Sequence, residues 1–227
     1  MADAFDRIVI AVPDLASARE EYAVLFGRAL VPAGDDCAWL VLANTTIELR
    51  EHDVELARVQ GLVLRDGAAA AEPESFDNDL GLDLALCDGS ATGQLREAAA
   101  DGPIAARVDH VVLRTGDGDA CLALFCEALG SRLALDKTVP QWGGRMLFFR
   151  AGKMTLEVID SQQDGSEGDY FWGIAYQHAE LDAVHAELQL RGVACSEVRE
   201  GRKPGTRVAT VKSHCLGLPT LLIEPAA

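Results

Sequence analysis

The sequence predicts an α+β fold in which a repeated strand–helix–strand–strand–strand module pairs with further copies of itself into open, barrel-like mixed sheets. The main observation is an internal repeat. Residues 6–26 have the pattern of a strand and a helix that ends before Gly27, and residues 109–129 repeat this pattern with an end before Gly130. One module is too small to bury a face of its sheet alone, so the modules must pair.

The first and third modules show the full pattern. In the first, the helix over 15–26 is followed by strands near 29–32 and over 37–42 and 46–50. In the third, the helix over 119–129 is followed by strands over 131–136, 145–150 and 154–159.

The second module matches the pattern poorly, whereas the fourth matches it in full. The second has strands at 61–65 and 80–87, but residues 68–78 lack an apolar stripe and only a short helix is expected over 94–100, so we interpret it as degenerate. The fourth has the full order, with strand 171–177, helix 181–191, and strands 195–198, 207–211 and 219–224.

The module pairs predict two domains. Residues 101–103 form a turn-like boundary, so we expect an N-terminal pair over 1–104 and a C-terminal pair over 105–227 that carries the candidate active site.

The net charge of −16 at pH 7 argues against nucleic acid and membranes as partners, because the protein would repel their negative charge. The first residues lack the basic start and apolar run of a signal peptide, and no apolar stretch reaches membrane-spanning length, so we expect a cytoplasmic protein. The expected partner is a small-molecule substrate or ligand, and a homodimer is left open. Six cysteines without a Cys-x-x-Cys pair indicate free thiols.

The repeat places unusual side chains together on the first strand of the third module. His110, Val112 and Arg114 fall on one face of this strand, so an imidazole and a guanidinium share a surface. In the first module, Arg7 takes the position of His110.

These residues carry a family resemblance. The strand from His110 to Asp117, the helix ending at Gly130, the strand with Glu157 and the segment from Gly173 resemble the vicinal oxygen chelate superfamily. This superfamily includes glyoxalase I, the bleomycin-resistance proteins, methylmalonyl-CoA epimerase and the extradiol dioxygenases. The resemblance covers nearly the whole chain and is weakest over 66–104.

The resemblance implies a metal site between the first and fourth strands of two paired modules. It gives His110 and Glu157 as metal ligands, and Glu157 also as a catalytic residue. Gly173 occupies a further ligand position, but glycine has no side chain that could bind the metal. The last ligand is Glu224 if the final turn has shifted, and Leu221 occupies this position otherwise. Imidazole and carboxylate ligands suit divalent zinc, nickel, manganese, cobalt or iron.

The remaining candidates would contact substrate or replace the metal. In the first module, Arg7 and Glu48 occupy the ligand positions, and we expect a salt bridge in place of a metal. The candidates for substrate binding are Arg114, Arg207, Arg202, Trp142 and Gln177.

The resemblance leaves three functions open. The first is a divalent-metal-dependent lyase or isomerase of the glyoxalase kind, acting on a small oxygenated, anionic substrate. The second is a metal-free ligand-binding protein of the bleomycin-resistance kind, which the glycine at position 173 favours. An extradiol dioxygenase ranks last, since Gly173 removes one of its two histidines.

Overall fold

Two open mixed sheets form the framework of the protein. A computed structural model describes residues 1–99, 106–142, 144–161 and 168–226. The first sheet has seven strands and the second has eight. The predicted fold class, repeated modules paired into open α+β sheets, is confirmed. The expected boundary residues 101–103 lie outside the described residues, and the division into two domains stays a prediction.

The first sheet has the strand order β2-β3-β4-β1-β5-β7-β6. Its helices are α1 (Leu15–Phe26) and α2 (Ser90–Ala99). Its strands are β1 (Ala4–Val12), β2 (Val31–Pro32), β3 (Cys37–Val41), β4 (Thr46–Glu51), β5 (Arg58–Arg65), β6 (Glu74–Ser75) and β7 (Asp83–Cys87). Between β5 and β6, residues 66–73 form no helix, so the second module lacks the element that follows the first strand elsewhere.

The second sheet has the strand order β13-β14-β15-β12-β8-β11-β10-β9. Its helices are α3 (Gly118–Leu122), which continues as a π-helical segment (Ala123–Ala128), and α4 (Leu181–Leu190), and a 3-10 turn covers Pro140–Trp142. Its strands are β8 (Arg107–Thr115), β9 (Arg132–Val139), β10 (Gly144–Ala151), β11 (Met154–Asp160), β12 (Tyr170–Gln177), β13 (Arg199–Glu200), β14 (Arg207–Val211) and β15 (Thr220–Glu224).

The strand expected over 195–198 is not formed as such. Cys195 makes one isolated bridge to Val211, and the paired strand β13 begins only at Arg199. The backbone N–H of Thr210 donates to the Ser196 hydroxyl instead of to a backbone carbonyl. A serine side chain therefore replaces one rung of the expected ladder.

Helices α1 and α3 begin with the same N-cap interaction, which is one basis of the sequence repeat. The side chain of Asp14 accepts from the backbone N–H of Ser17, and Asp117 accepts in the same way from Ala120. These are N-cap interactions, which satisfy donors that the first helical turn leaves free. Gly27 follows α1 with a φ of 65°, a conformation that glycine adopts without a side-chain clash.

The modules pack through one continuous apolar core that includes side chains of both sheets. At the junction between the sheets, the ring of Phe26 from α1 lies 5.0 Å from the ring of Tyr176 on β12, edge to face. His178 lies in the same apolar region, beside Leu25 and Leu222. All six cysteines are free thiols, as predicted. No described helix is long and apolar enough to cross a membrane.

His178 makes stability depend on pH. Burial lowers the pKa of its imidazole to about 4, because the charged form loses its hydration. In the unfolded chain the imidazole binds a proton near pH 6.5. The unfolding free energy is therefore fully present above that pH, and it falls as the pH drops from 6.5 towards 4. We expect the imidazole to cost about 2 kcal/mol of unfolding free energy between pH 7.5 and pH 5.

Urea unfolding of the wild type and of His178→Leu at both pH values measures this difference. The variant should lose less stability than the wild type by that amount, since all other titrating groups are shared. Equal pH slopes for the two proteins would show that His178 stays hydrated in the folded state.

Candidate functional site

The central pair of the site comes from two adjacent strands of the third module. Strand β11 runs parallel to β8, with Thr155 opposite His110 and Glu157 opposite Val112. His110 and Glu157 therefore project from the same face of the sheet, and Nε2 of His110 lies 3.6 Å from Oε2 of Glu157. Their side chains are 16% and 17% exposed, so both are accessible to a ligand.

Among the described residues, the helices of the second sheet pack on its other side, away from this surface. On the other side, Phe125 of the helical segment packs against Phe149, and Leu113 and Leu156 are fully buried in the core. We call the side that carries His110, Val112, Arg114 and Glu157 the open face.

Asp109 orients the imidazole. Its Oδ2 lies 2.8 Å from Nδ1 of His110, which leaves Nε2 directed at Glu157. Burial by itself lowers the pKa of His110, but the hydrogen bond to Asp109 and the negative charges of Glu157 and Asp109 outweigh it, so the pKa is raised. The carboxylate on one side of the ring and the polar partner on the other are the usual surroundings of a metal-binding or proton-transferring histidine.

The fourth module contributes no ligand at the matching positions. Strand β12 runs antiparallel to β8 and places Gly173 opposite Val112. Strand β15 runs parallel to β12 and places Leu221 opposite Ala175, two residues after Gly173. Since Glu157 is likewise opposite the residue two positions after His110, Leu221 is the counterpart of Glu157.

Glu224 lies on the helix-covered side of β15 and is not brought to His110. One of its carboxylate oxygens accepts from the backbone N–H of Leu181 at 2.8 Å, and the other lies 3.5 Å from Arg207. The carboxylate of Glu224 therefore accepts a hydrogen bond from a backbone N–H at the start of α4. The strand register that places Leu221 on the open face places Glu224, three residues later, on the opposite face.

Gly173 is fixed by a close backbone approach. A Cβ atom at this position would lie 2.5 Å from the carbonyl oxygen of Pro219, and the neighbouring N–H of Ile174 donates to the same oxygen. Gly61 on β5 is opposite Val9, as Gly173 is opposite Val112, and a Cβ there would clash with the carbonyl oxygen of Asp83. Both module pairs thus exclude a side chain at the same position.

The residues present fit only half of a four-ligand metal site. His110 and Glu157 provide one nitrogen and one carboxylate, which suit a borderline divalent ion. Glycine and leucine occupy the other two positions. Among the residues that the structure describes, no group of three or more potential ligands comes together.

Two of the candidate substrate residues lie on the open face. Arg114 is opposite Ile159 on one side and Tyr170 on the other. Gln177 is half-buried on β12, opposite Ile223.

The other candidates are placed elsewhere or cannot be placed. Arg207 shares the helix-covered side with Glu224 and forms an ion pair with Asp182 of α4. Arg202 is exposed in the loop between β13 and β14. The Trp142 side chain lies outside the described part of the structure.

Part of the chain is similar to a known protein family. Residues 109–210 match the family described as the Glyoxalase/Bleomycin resistance protein/Dioxygenase superfamily. The match spans 102 of the 227 residues, so it is the C-terminal half of the chain that is similar to this superfamily. The predicted resemblance to the vicinal oxygen chelate proteins is therefore confirmed.

One similar solved structure covers the whole chain and shows its fold. A mutant of 4-hydroxymandelate synthase from Streptomyces coelicolor matches 100% of the chain with 94% of its own length, at 13% identity and a TM-score of 0.70. Methylmalonyl-CoA epimerase from Mycobacterium tuberculosis matches 56% of the chain with 93% of its own length, at 20% identity and a TM-score of 0.47. No curated protein sequence matches the chain.

In the N-terminal half of the chain, the matching positions hold the predicted salt bridge. Nη1 of Arg7 lies 3.1 Å from Oε2 of Glu48, and both side chains are buried. Oε2 of Glu48 also accepts from the Trp39 indole at 3.0 Å, and Oε1 accepts two hydrogen bonds from Arg50. Asp6 takes the place of Asp109 and lies 3.1 Å from Nε of Arg7.

The neighbours of Glu157 lack these donors. Phe148 is opposite Glu157 as Trp39 is opposite Glu48, and Ile159 takes the position of Arg50. Neither a phenylalanine nor an isoleucine side chain can donate a hydrogen bond. Phe148 and Ile159 therefore do not engage the C-terminal carboxylate, whereas Trp39 and Arg50 both donate to its N-terminal counterpart.

Sequence reasoning missed the contribution of Asp109 and Phe148. Asp109 is adjacent to His110, and neighbouring residues of a regular strand face opposite sides. The irregular pairing of β8 with β12 near Ala175 and Tyr176 lets both side chains meet. The signal that could have found it was the repetition of aspartate at positions 6 and 109.

Replacing Arg7 tests the structural role of the N-terminal ion cluster. We expect Arg7→Ala to lower the unfolding free energy by about 3 kcal/mol, because Glu48 and Asp6 stay buried without this charge. Denaturant unfolding measures the change. The control is Arg50→Ala, whose side chain is 38% exposed, with an expected loss of about 1 kcal/mol. An equal, small effect of both substitutions would contradict the role of a buried counter-charge.

Proposed function

We propose that the C-terminal module pair is a divalent-metal-dependent lyase or isomerase site for a small oxygenated, anionic substrate. The observation that supports this most is the accessible His110–Glu157 pair, with 3.6 Å between Nε2 and Oε2. The equivalent N-terminal residues are closed off by Trp39 and Arg50. The homodimer also stays a prediction.

The cation would be held by Nε2 of His110 and the carboxylate of Glu157. Gly173 and Leu221 offer no further ligand, so water and the substrate would have to supply the rest. When bound, the ion would act as a Lewis acid towards an oxygen of the substrate.

The residues of the chain would position substrate and proton. Asp109 holds the His110 ring by its Nδ1 atom and thereby keeps Nε2 directed at Glu157. Oε1 of Glu157 is the atom to which a substrate proton could move, because Oε2 is the oxygen nearer the imidazole. Arg114 on the same face supplies positive charge towards an anionic substrate.

One observation favours a second function, metal-free ligand binding. The fourth module has lost both of its ligand positions, to Gly173 and Leu221, so a cation would depend on two protein ligands. In that case His110 and Glu157 would bind polar groups of the ligand directly. The presence or absence of bound metal separates the two functions.

Metal binding is tested on untagged protein purified without chelator. We expect near-stoichiometric zinc, nickel, manganese, cobalt or iron by elemental analysis, and affinity lower by about 100-fold or more in His110→Ala. Calorimetric titration of the added metal ions measures the affinity. The matched control is His52→Ala, because this imidazole is exposed and away from the pair. Wild-type protein that neither contains nor takes up metal would replace the metal-dependent function with the metal-free one.

Asp109 is tested by Asp109→Asn. The amide keeps the size of the side chain but removes the charge that orients the imidazole and raises its pKa. We expect metal affinity to fall roughly 10- to 100-fold, the range for a partner that orients a ligand. Unchanged affinity in the same titration would show that His110 is held without Asp109.

A further inference from the structure

Two like charges face each other at one edge of the open face. Arg132 on the edge strand β9 is directly opposite Arg150 on β10, and both are exposed. Like charges at directly opposite positions of a sheet are unfavourable, and a bound anion relieves this repulsion in addition to Asp109, which is within electrostatic range of Arg150. Such a pair offers several fixed donors to a carboxylate or a phosphate.

An exposed apolar side chain lies beside this pair. Leu135 is 47% exposed, one of the few large apolar side chains with this exposure in the described chain. It is opposite the half-buried Phe148, which in turn is opposite Glu157. Leu135 and Phe148 therefore form an apolar strip on the open face that ends at the carboxylate.

The arginine pair is connected to the centre of the site by strand register. Arg150 is opposite Thr155, and Thr155 is opposite His110. Adjacent strands lie about 4.8 Å apart, so roughly 10 Å of backbone separates Arg150 from His110. Residues two apart on one strand lie about 7 Å apart, so the apolar strip is one step from the arginine pair. A small molecule can span both and reach Glu157.

We propose that this edge binds a small organic anion with an apolar body. Arg132 and Arg150 receive its carboxylate or phosphate, and Leu135 and Phe148 contact the apolar body beside Glu157. The inference rests on the proposed small-molecule site and specifies its substrate class. The charge complementarity is local, since the chain as a whole carries −16.

The test uses 4-fluorophenylacetate as the probe, titrated into metal-free full-length protein and followed by fluorine NMR. We expect saturable binding that weakens about tenfold in Arg150→Gln and in Arg132→Gln, and weakens in Leu135→Ser. These side chains are exposed, so the variants should fold. Arg199→Gln is the matched control, because this arginine is equally exposed on the far edge strand β13 and should leave binding unchanged.

Two further probes separate the charge from the apolar body. Acetate lacks the ring and 4-fluorobenzyl alcohol lacks the charge, and each should bind more weakly than 4-fluorophenylacetate. The proposal is overturned if either binds as tightly, if no saturable binding occurs, or if Arg199→Gln weakens binding as much as Arg150→Gln. His110→Ala should still bind 4-fluorophenylacetate. If the wild type binds this probe but does not bind metal, only the metal-dependent function is contradicted.

Discussion

The parallel pairing of the first and fourth strands within a module is the constraint on which the site depends. It brings together side chains that are far apart in sequence, such as Arg7 and Glu48, which are 41 positions apart. The same pairing between β8 and β11 sets His110 beside Glu157. A shift of one residue in either strand would turn one partner to the helix-covered side.

The two halves of the protein use this pairing in different ways. In the first sheet, a permanently charged guanidinium lies between Asp6 and Glu48, and Trp39 covers it with the ring centroid 5.2 Å from the guanidinium carbon. In the second sheet, an imidazole lies between Asp109 and Glu157. Imidazole can lose its charge and bind a cation, which guanidinium cannot do, so the N-terminal arrangement serves stability and the C-terminal one can serve chemistry.

Much of the fold could be predicted because it is repeated. Helix α1 has the bounds that the sequence indicates, since an aspartate cap and a terminal glycine mark its two ends. The Arg7–Glu48 salt bridge followed from the same comparison of modules. The face of Glu224 could not be predicted, because it depends on how the turn before β15 sets the register. The orientation of His110 by Asp109 depends on an irregularity in strand pairing that leaves no mark in the composition.

The close approach at Gly173 limits which residues can be introduced into the site. Because the Pro219 carbonyl fills the space of a Cβ atom, a histidine introduced at position 173 would have to displace the final strand. The same obstruction at Gly61 excludes a side chain at the matching position of the first half. A four-ligand centre is therefore not one mutation away, because a ligand at position 173 requires the final strand to move as well.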